Sequence, residues 1–318
     1  MICFNSPIDI IHRTTDLLCV GELLVDIIAT EYGSLIECGS LQRFAGGSPA
    51  NIASNTMKLG ISSAVAAAVG SDGLGDFLLD SLVKADLDTS LIQRCEESTS
   101  LVLITRSRDT PTPIFYRGAD YHITLSPTLE SRMVESSILH FSCWPLSMEP
   151  SRTCVKEIIR VARDNRRLVC FDPNYHTSVW KDRHEALVFI ETMMPDIDII
   201  KPSEDDADRL FGVDEPERQL KRFLDLGAKL VIMTLGAKGA IASNGLETRE
   251  YASLAEEVVD TTGAGDAFWS GLYAGLIGER SVDRAIRLGM AVSAIKLRGV
   301  GASMPKTSLA EIERDFGL

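Results

Sequence analysis

The chain has 318 residues, 45% of them hydrophobic and 24% charged, which is ordinary for a globular protein with a sizeable core. Its formal net charge of −13 disfavours nucleic acids and anionic membranes as partners, because both repel an acidic protein. No apolar stretch could span a bilayer, the N-terminus lacks a signal-peptide pattern, and the seven cysteines form no CxxC pair, so we expect a cytoplasmic protein with free thiols.

Short apolar runs, typical of strands buried on both faces, alternate with longer amphipathic segments along most of the chain. The predicted strands are 17–28, 63–69, 98–105, 113–117, 137–142, 168–171, 197–200 and 230–234. The predicted helices are 50–59, 76–85, 151–164, 184–194, 204–211, 218–226 and 264–277. This alternation predicts an α/β fold with a doubly wound, mainly parallel sheet, whose ligands bind beyond the carboxyl ends of the strands.

The third and fourth predicted strands differ from the others, because they are more polar and the turn-rich segment Ser107–Pro111 separates them. We interpret them as part of a small β-sheet lid, formed by about 27–45 and 96–120 and inserted in a single domain of residues 1–318. Lid strands expose an edge, and pairing of two lids would cover that edge. We therefore expect a homodimer that forms through the lid.

The strongest chemical signal is the segment Asp260–Phe268, DTTGAGDAF, where a strand-like run at Glu257–Val259 passes into an apolar helix. Its glycines let the backbone approach a ligand, and free N–H groups at a helix start point at an anion. Asp266 lies in the same turn, and we expect the helix dipole to keep it ionised. A glycine-rich turn with a helix-capping aspartate would share part of this pattern. The full string suits phosphoryl transfer, with backbone amides that stabilise the phosphoryl charge and an aspartate that accepts the proton of the attacking hydroxyl. The predicted catalytic residues are Asp266, Gly263, Ala264 and Gly265.

This segment resembles the C-terminal signature of the PfkB, or ribokinase-like, carbohydrate kinases. The segment Ala45–Ala53, AGGSPANIA, followed by Leu59 and Gly60, resembles the first signature of the same family. The resemblance runs from about Leu17 to Pro305, with the two motifs in the expected order. It implies a ribokinase-like three-layer αβα sandwich with a β-sheet lid. It also implies ATP-dependent phosphorylation of a sugar primary hydroxyl, with ATP and Mg²⁺ as cofactors.

The resemblance also implies a set of sugar-binding residues near the first motif and in the lid. These residues are Asp26, Gly46, Gly47, Asn51 and Arg117. Glycines let a hydroxylated ligand approach the backbone, and an amide at a helix start can both donate and accept hydrogen bonds. A carboxylate at the end of a buried strand needs a hydrogen-bond partner, and the resemblance implies that a sugar hydroxyl is the partner of Asp26. The alternative is that Asp26 caps a turn. A solvated surface arginine is the alternative for Arg117.

Loops that follow later strands resemble the nucleotide and metal sites of the family. The predicted nucleotide-binding residues are Lys201, Ser203, Thr234, Gly236 and Gly239. Ser203 and Asp206 replace the Asn and Glu of the family's Asn-x-x-Glu motif, and Asp206 could still hold a hydrated Mg²⁺ through water. A serine-capped helix with an acidic first turn would explain the same string. Asp260, Thr262 and the loop 298–303 match segments that bind a monovalent cation in relatives, which makes K⁺ a further candidate cofactor.

The acceptor sugar is predicted from departures from related patterns. Kinases of 2-keto-3-deoxygluconate carry Tyr-Tyr-Arg in the lid and an arginine after Asp-Pro-Asn. Here the lid has Phe115 in place of the first tyrosine, and His176 stands where that arginine is common. The loss of a phenol and of a permanent cation favours an uncharged sugar, and the GSPAN segment also resembles fructokinases. We expect fructose, with the keto acid, ribose, inositol-pathway sugars and nucleosides as alternatives.

Two other classes of function explain the sequence less well. A non-catalytic sugar or nucleotide sensor on the same fold would need a damaged base or anion hole, but Asp266 and both glycines of the motif are intact. A Rossmann dehydrogenase would need GxGxxG after the first strand, and the segment Gly21–Leu23 does not provide it. The five histidines show no metal-ligand spacing, so we assign no zinc site.

Overall fold

The structure is a computed structural model that describes residues 2–33, 38–106 and 113–318. Its strands are β1 (Thr15–Val20), β2 (Leu24–Tyr32), β3 (Leu41–Gly46), β4 (Ser63–Gly70), β5 (Ile92–Cys95), β6 (Leu101–Arg106), β7 (Ile114–Tyr116), β8 (Ser136–Ser142), β9 (Leu168–Asp172), β10 (Ile199–Ile200), β11 (Leu230–Thr234), β12 (Ala240–Ser243) and β13 (Thr248–Tyr251). Its helices are α1 (Ser48–Lys58), α2 (Gly73–Lys84), α3 (Pro127–Val134), α4 (Ser151–Asp164), α5 (Arg183–Met193), α6 (Glu204–Phe211), α7 (Pro216–Asp225), α8 (Ala264–Ile277), α9 (Val282–Leu297) and α10 (Leu309–Phe316). None of the helices in these ranges is both long and apolar enough to cross a membrane.

The large sheet forms the middle layer of the molecule. In the described part of the chain it has nine strands, in the order β13-β12-β11-β10-β9-β8-β1-β4-β5. Neighbours from β5 to β11 run parallel, and β12 and β13 extend the sheet in the antiparallel sense. Strand β1 is buried on both faces, with Leu18 in the core beneath α3 to α7 and Cys19 in the core beneath α1, α2, α8 and α9. The predicted three-layer αβα sandwich is therefore confirmed.

The predicted lid is a separate four-stranded sheet in the order β3-β2-β6-β7. Strand β2 pairs with β3 in the antiparallel sense and with β6 in the parallel sense, and β7 pairs antiparallel with β6. The register sets Asp26 of β2 beside Val102 of β6, so these two side chains share one face of the lid. Residues 34–37 of the predicted lid, and the predicted turn at Ser107–Pro111, lie outside the described residues.

Two strand predictions are wrong. The apolar run 17–28, predicted as a strand interrupted by Gly21 and Glu22, is two strands, because Gly21 adopts φ +156° and the chain leaves the large sheet there and enters the lid as β2. A side chain at Gly21 would also meet the Pro49 ring, with 2.7 Å between its Cβ and Pro49 Cγ. The run Glu257–Val259 is not a strand either, because no strand pairs with it, although Val259 N–H donates to the Leu297 carbonyl at the end of α9 (2.8 Å).

Candidate active site

A cleft of about 420 Å³ lies between the lid and the carboxyl ends of the parallel strands. Asp172 ends β9, Lys201 follows β10 and Thr234 ends β11, so parallel strands bring these polar residues to one edge of the sheet. The predicted site residues that line this cleft are Asp26, Gly47, Asn51, Lys201, Ser203, Asp206, Thr234, Thr262, Gly263, Ala264, Gly265 and Asp266. The fold thus brings together most of the residues that the motifs predicted, from widely separated parts of the chain.

Asp266 lies in the first turn of α8 and is held by two side chains from the start of α1. Ser48 Oγ donates to Asp266 Oδ1 (2.6 Å), and Asn51 Nδ2 donates to Asp266 Oδ2 (2.9 Å). The role of Ser48 was missed from the sequence, although it lies inside the first motif. Both carboxylate oxygens are therefore fixed in position, as a base that must meet one hydroxyl requires.

The ionisation of Asp266 is set mainly by burial rather than by the helix dipole. Burial raises the pKa of Asp266 above its ordinary value, while the bonds from Ser48 and Asn51 and the charge of Lys201 lower it. The net direction is upward, which differs from the expectation that the helix dipole would dominate. A carboxylate with a raised pKa is a stronger base, which suits proton abstraction from a hydroxyl.

The start of α8 has the backbone geometry of an anion-binding turn. Gly263 adopts φ +75° before the first helical residue, and a Cβ there would lie 2.6 Å from Ala302 Cα, so only glycine fits. Ala264 N–H donates to the Thr261 carbonyl (3.1 Å), so this one of the predicted amides is engaged within the turn. A Cβ on Gly265 would lie 3.5 Å from Lys201 Nζ, so the positive side chain of Lys201 lies beside the turn.

Glu22 is a buried carboxyl of the cleft that the sequence did not indicate. Its side chain accepts from Ser48 N–H (3.2 Å) and Ser142 Oγ (2.9 Å), and the residue is 2% exposed. Burial raises the pKa of Glu22 to about 8, and the charge of Asp266 adds to this rise. Ser48 is therefore held from both sides, by Glu22 at its N–H and by Asp266 at its hydroxyl.

We expect Glu22→Gln to stabilise the protein at alkaline pH. The native pKa of about 8 exceeds the ordinary value of 4.5, so the folded protein loses stability as pH rises between these values. The amide cannot ionise, and the free energy of unfolding above pH 8 should exceed that of the unmodified protein by up to about 4 kcal/mol. At about pH 4.5 the difference should be below about 1 kcal/mol. Denaturant unfolding at the two pH values measures both.

The exposed Glu217→Gln on α7 is the matched control, with an expected change below about 0.5 kcal/mol at either pH. A stability difference between Glu22→Gln and the unmodified protein that is the same at both pH values would contradict the assignment of Glu22 as a neutral acid.

Asp26 and the two adjacent glycines lie where the lid meets α1. Gly46 does not line the cleft but packs against Asp26, because a Cβ on Gly46 would overlap the Asp26 carboxylate. Gly47 adopts φ +104°, and a Cβ there would overlap the carbonyl of Glu22. Burial raises the pKa of Asp26 to about 7, with a further rise from the charge of Asp266. Asp26 can therefore donate to or accept from a ligand hydroxyl near neutral pH.

Arg117 lies at the base of the lid and is engaged with protein groups. Its Nε donates to Asp120 Oδ2 (2.9 Å), and its Nη1 donates to Ser147 Oγ (2.6 Å). Asp120 is fully buried and also accepts from the Trp144 indole N–H (2.6 Å). Trp144 lines the cleft, whereas Arg117 is not among the described residues that line it. The ion pair thus supports a wall of the cleft, and the sugar contact of Arg117 stays a prediction.

Lys201 is the positive side chain nearest to the buried carboxylates of the cleft. It is 3% exposed, and its Nζ lies 3.4 Å from Asp172 Oδ2, which also accepts from the Trp269 indole N–H (2.7 Å). Burial raises the pKa of Asp172, and Lys201 opposes that rise. The positive charge of Lys201 therefore offsets the negative charge of Asp172 at this edge of the large sheet, and it can attract the phosphates of a nucleotide.

Ser203 and Asp206 form a capping box at the start of α6, as the alternative interpretation proposed. Asp206 N–H donates to Ser203 Oγ (3.1 Å), and Ser203 N–H donates to Asp206 Oδ2 (2.9 Å). The other oxygen, Asp206 Oδ1, accepts from Tyr175 N–H (2.7 Å). Both residues also line the cleft, so capping and ligand binding are compatible, and the nucleotide and metal roles stay predictions.

The carboxylates here fit magnesium bound through water. Asp172 and Asp206 offer buried oxygen donors, which Mg²⁺ prefers, and burial raises the pKa of Asp206. The described residues contain no group of three His, Cys, Asp or Glu side chains that would hold a metal by themselves. Mg²⁺ would thus take most of its ligands from water and nucleotide phosphates.

The predicted nucleotide loop after β11 lies beside the cleft. Thr234 N–H donates to the Pro202 carbonyl (3.0 Å), which joins this loop to the start of α6. Gly239 adopts φ +99°, and a Cβ there would overlap the Tyr251 carbonyl, so the tight turn requires glycine. Of the described residues, Thr234 lines the cleft, whereas Gly236 and Gly239 do not. Their contact with a nucleotide stays a prediction.

Asp260 and Thr262 lie where the motif meets the loop after α9. The Asp260 carboxylate accepts from Thr262 N–H (2.9 Å) and Gly301 N–H (2.8 Å). Burial alone would raise the pKa of Asp260, but these two donors outweigh it and lower the pKa. Lys296 Nζ donates to the Asp260 main-chain carbonyl (2.6 Å), and burial lowers the pKa of Lys296. This lysine was also missed from the sequence.

Comparisons of this sequence and structure with known proteins lead to carbohydrate kinases. The sequence model described as pfkB family carbohydrate kinase matches residues 14–308. The ATP-dependent 6-phosphofructokinase of Thermoanaerobacterium thermosaccharolyticum is 50% identical over 100% of this chain and 99% of its own length. Halothermothrix orenii fructokinase is 38% identical with a TM-score of 0.77, covering 86% of this chain and 97% of that one. An E. coli protein described as a ribokinase II, in complex with ATP and Mg²⁺, is 26% identical with a TM-score of 0.84, covering 94% of this chain and 98% of that one.

Proposed function

Because the chain belongs to the pfkB family of carbohydrate kinases, and is therefore a phosphotransferase that acts on a sugar hydroxyl, we propose that its acceptor is fructose and that Asp266 is the base. The observation that supports Asp266 as the base is the position of its side chain. It lies in the cleft, at an anion-binding helix start, with both oxygens held by Ser48 and Asn51.

The proposed mechanism divides the cleft into an acceptor end and a phosphoryl end. Asp26, Gly47 and Asn51 bind sugar hydroxyls at the acceptor end and turn a primary hydroxyl towards Asp266. Asp266 accepts the proton of this hydroxyl as the hydroxyl oxygen attacks the γ-phosphorus of ATP, the bond from this phosphorus to the β,γ-bridging oxygen breaks, and ADP leaves. The amides at the start of α8 and the ammonium of Lys201 stabilise the charge on the phosphoryl oxygens. Mg²⁺, held through water by Asp172 and Asp206, would supply further positive charge to the phosphoryl group.

The electrostatics of the acceptor end favour a neutral sugar. The lid side of the cleft is apolar, with Leu24, Val102 and Phe115, and beside it lie the acids Glu22 and Asp26. Of the described residues that line the cleft, Lys201 alone is positive, and it lies at the phosphoryl end. Burial lowers the pKa of His176, whose ring packs on Phe115 with 4.8 Å between centroids. A neutral His176 gives a carboxylate no permanent cation, which supports fructose over 2-keto-3-deoxygluconate.

Fructose 6-phosphate is the second candidate acceptor. It is favoured by the 6-phosphofructokinase that is 50% identical over this whole chain. This acceptor carries a dianionic phosphate, which would need positive side chains away from Asp266.

An ATP-coupled assay with fructose, fructose 6-phosphate, 2-keto-3-deoxygluconate and ribose tests the acceptor. We expect kcat/KM for fructose to exceed that for fructose 6-phosphate and for 2-keto-3-deoxygluconate by at least about tenfold, because binding sites for neutral and anionic ligands discriminate strongly. Phosphorus NMR of the product identifies the phosphorylated hydroxyl. A higher kcat/KM for fructose 6-phosphate, with a bisphosphate as product, would replace fructose by the second candidate. No turnover of any sugar would favour the sensor alternative over both.

The homodimer through the lid and the cytoplasmic location stay predictions. Size-exclusion chromatography with light scattering would measure the first, and cell fractionation would measure the second.

A further inference from the structure

Lys296 is a positive side chain in the core that the proposed mechanism does not use. It lies in the last turn of α9 and is 1% exposed. Its Nζ donates to the main-chain carbonyl of Asp260 (2.6 Å). Burial of an ammonium is costly unless nearby groups compensate it, and here the negative charges of Asp260 and Asp266 compensate part of this cost.

The carbonyl that Lys296 contacts belongs to the segment for which the sequence predicted a monovalent cation. The Asp260 carboxylate joins this segment to the loop after α9 through Gly301 N–H (2.8 Å). In the same loop, Ala302 packs so closely against Gly263 that no Cβ fits there. A positive charge at Asp260 therefore acts on the two chain segments that shape the anion-binding turn of α8.

We propose that the Lys296 ammonium takes the place of K⁺ at this position, so that the kinase needs no monovalent cation. An ammonium carries the same charge as K⁺, and here it donates to the main-chain carbonyl of Asp260. Unlike the free ion, it is tethered to α9 and loses little entropy when it binds. The Asp260 carbonyl accepts from Lys296, and the Asp260 carboxylate accepts from Thr262 N–H and Gly301 N–H, so Asp260 offers a free K⁺ ion less than the predicted site requires.

The test compares KCl with choline chloride at equal ionic strength. For the unmodified protein, we expect kcat/KM and the melting temperature to be the same in both salts. Lys296→Ala removes the ammonium and leaves space for an ion. We expect its kcat/KM to fall about tenfold in choline chloride and to recover mostly in KCl, where K⁺ binds at the vacated carbonyl of Asp260. Its melting temperature should rise with KCl concentration by mass action.

Lys296→Met is the matched control, because it removes the charge and keeps the side-chain volume. We expect it to lose the same activity as Lys296→Ala and to recover none in KCl. If Lys296→Ala does not fold in choline chloride, the variant is refolded in KCl. Recovery of the folded protein in KCl supports the proposal, and failure to fold in KCl overturns it. A melting temperature of the unmodified protein that rises in KCl and not in choline chloride also overturns it. The melting measurements need no sugar, so their result does not depend on whether the acceptor is fructose.

Discussion

Asp266→Asn should lower kcat by about a thousandfold, because the loss of a general base of this kind typically costs 10²- to 10⁴-fold. Asparagine keeps the size of the side chain and can still accept from Ser48 Oγ. The Asn51 amide must turn over to face the new amide with its oxygen, which costs little. Sugar binding depends mainly on other groups, so the dissociation constant for fructose should change by less than about threefold. Steady-state kinetics and calorimetric titration of the sugar measure the two effects.

The stability of Asp266→Asn separates a lost base from a damaged fold. Because burial raises the pKa of Asp266, the folded protein loses stability as this group ionises with rising pH. The asparagine variant avoids this loss and should unfold at an equal or higher temperature at neutral pH. The exposed Asp225→Asn on α7 serves as the control and should keep full activity. A kcat for Asp266→Asn close to that of the unmodified protein would show that another group accepts the proton.

The sequence predicted those parts of the structure that depend on local pattern. Helices α4, α6 and α8 begin and end at the predicted residues, and α6 also has a strong start signal in the capping box of Ser203 and Asp206. The short strands that cross the lid were harder to delimit. In the apolar run 17–28, Gly21 and Glu22 indicated an interruption, but nothing showed that the chain passes there from one sheet to another.

The contacts that make the site work are long-range, and no local pattern contains them. Ser48 and Asn51 are separated from Asp266 by 218 and 215 residues in the sequence. The two motifs could be identified, but the bonds between them required the fold. Glu22 and Lys296 lie just outside the motif residues, and their importance follows from their burial, which the sequence does not report. Arg117 shows the opposite case, because its partner Asp120 lies three residues away and the sequence itself could have indicated this ion pair.

Lys201→Met should lower kcat/KM for ATP by about a hundredfold, comparable with the loss of one oxyanion-stabilising donor. Methionine keeps most of the buried volume and removes the charge beside the start of α8. The carboxylates Asp172, Asp206 and Asp266 all owe part of their ionisation to Lys201, so their pKa values should rise in the variant. The acidic limb of the pH profile of kcat/KM should accordingly move to higher pH.

The control for Lys201→Met is Lys221→Met, an exposed lysine of α7 that pairs with Asp225 and lies outside the cleft. It should leave kcat/KM and the pH profile unchanged, because an exposed ion pair contributes little. The KM for fructose should also stay within about threefold in Lys201→Met, since the lysine lies at the phosphoryl end of the cleft. A variant that loses affinity for fructose but keeps its kinetics with ATP would place Lys201 at the acceptor end, and the assignment of the two ends would have to be reversed.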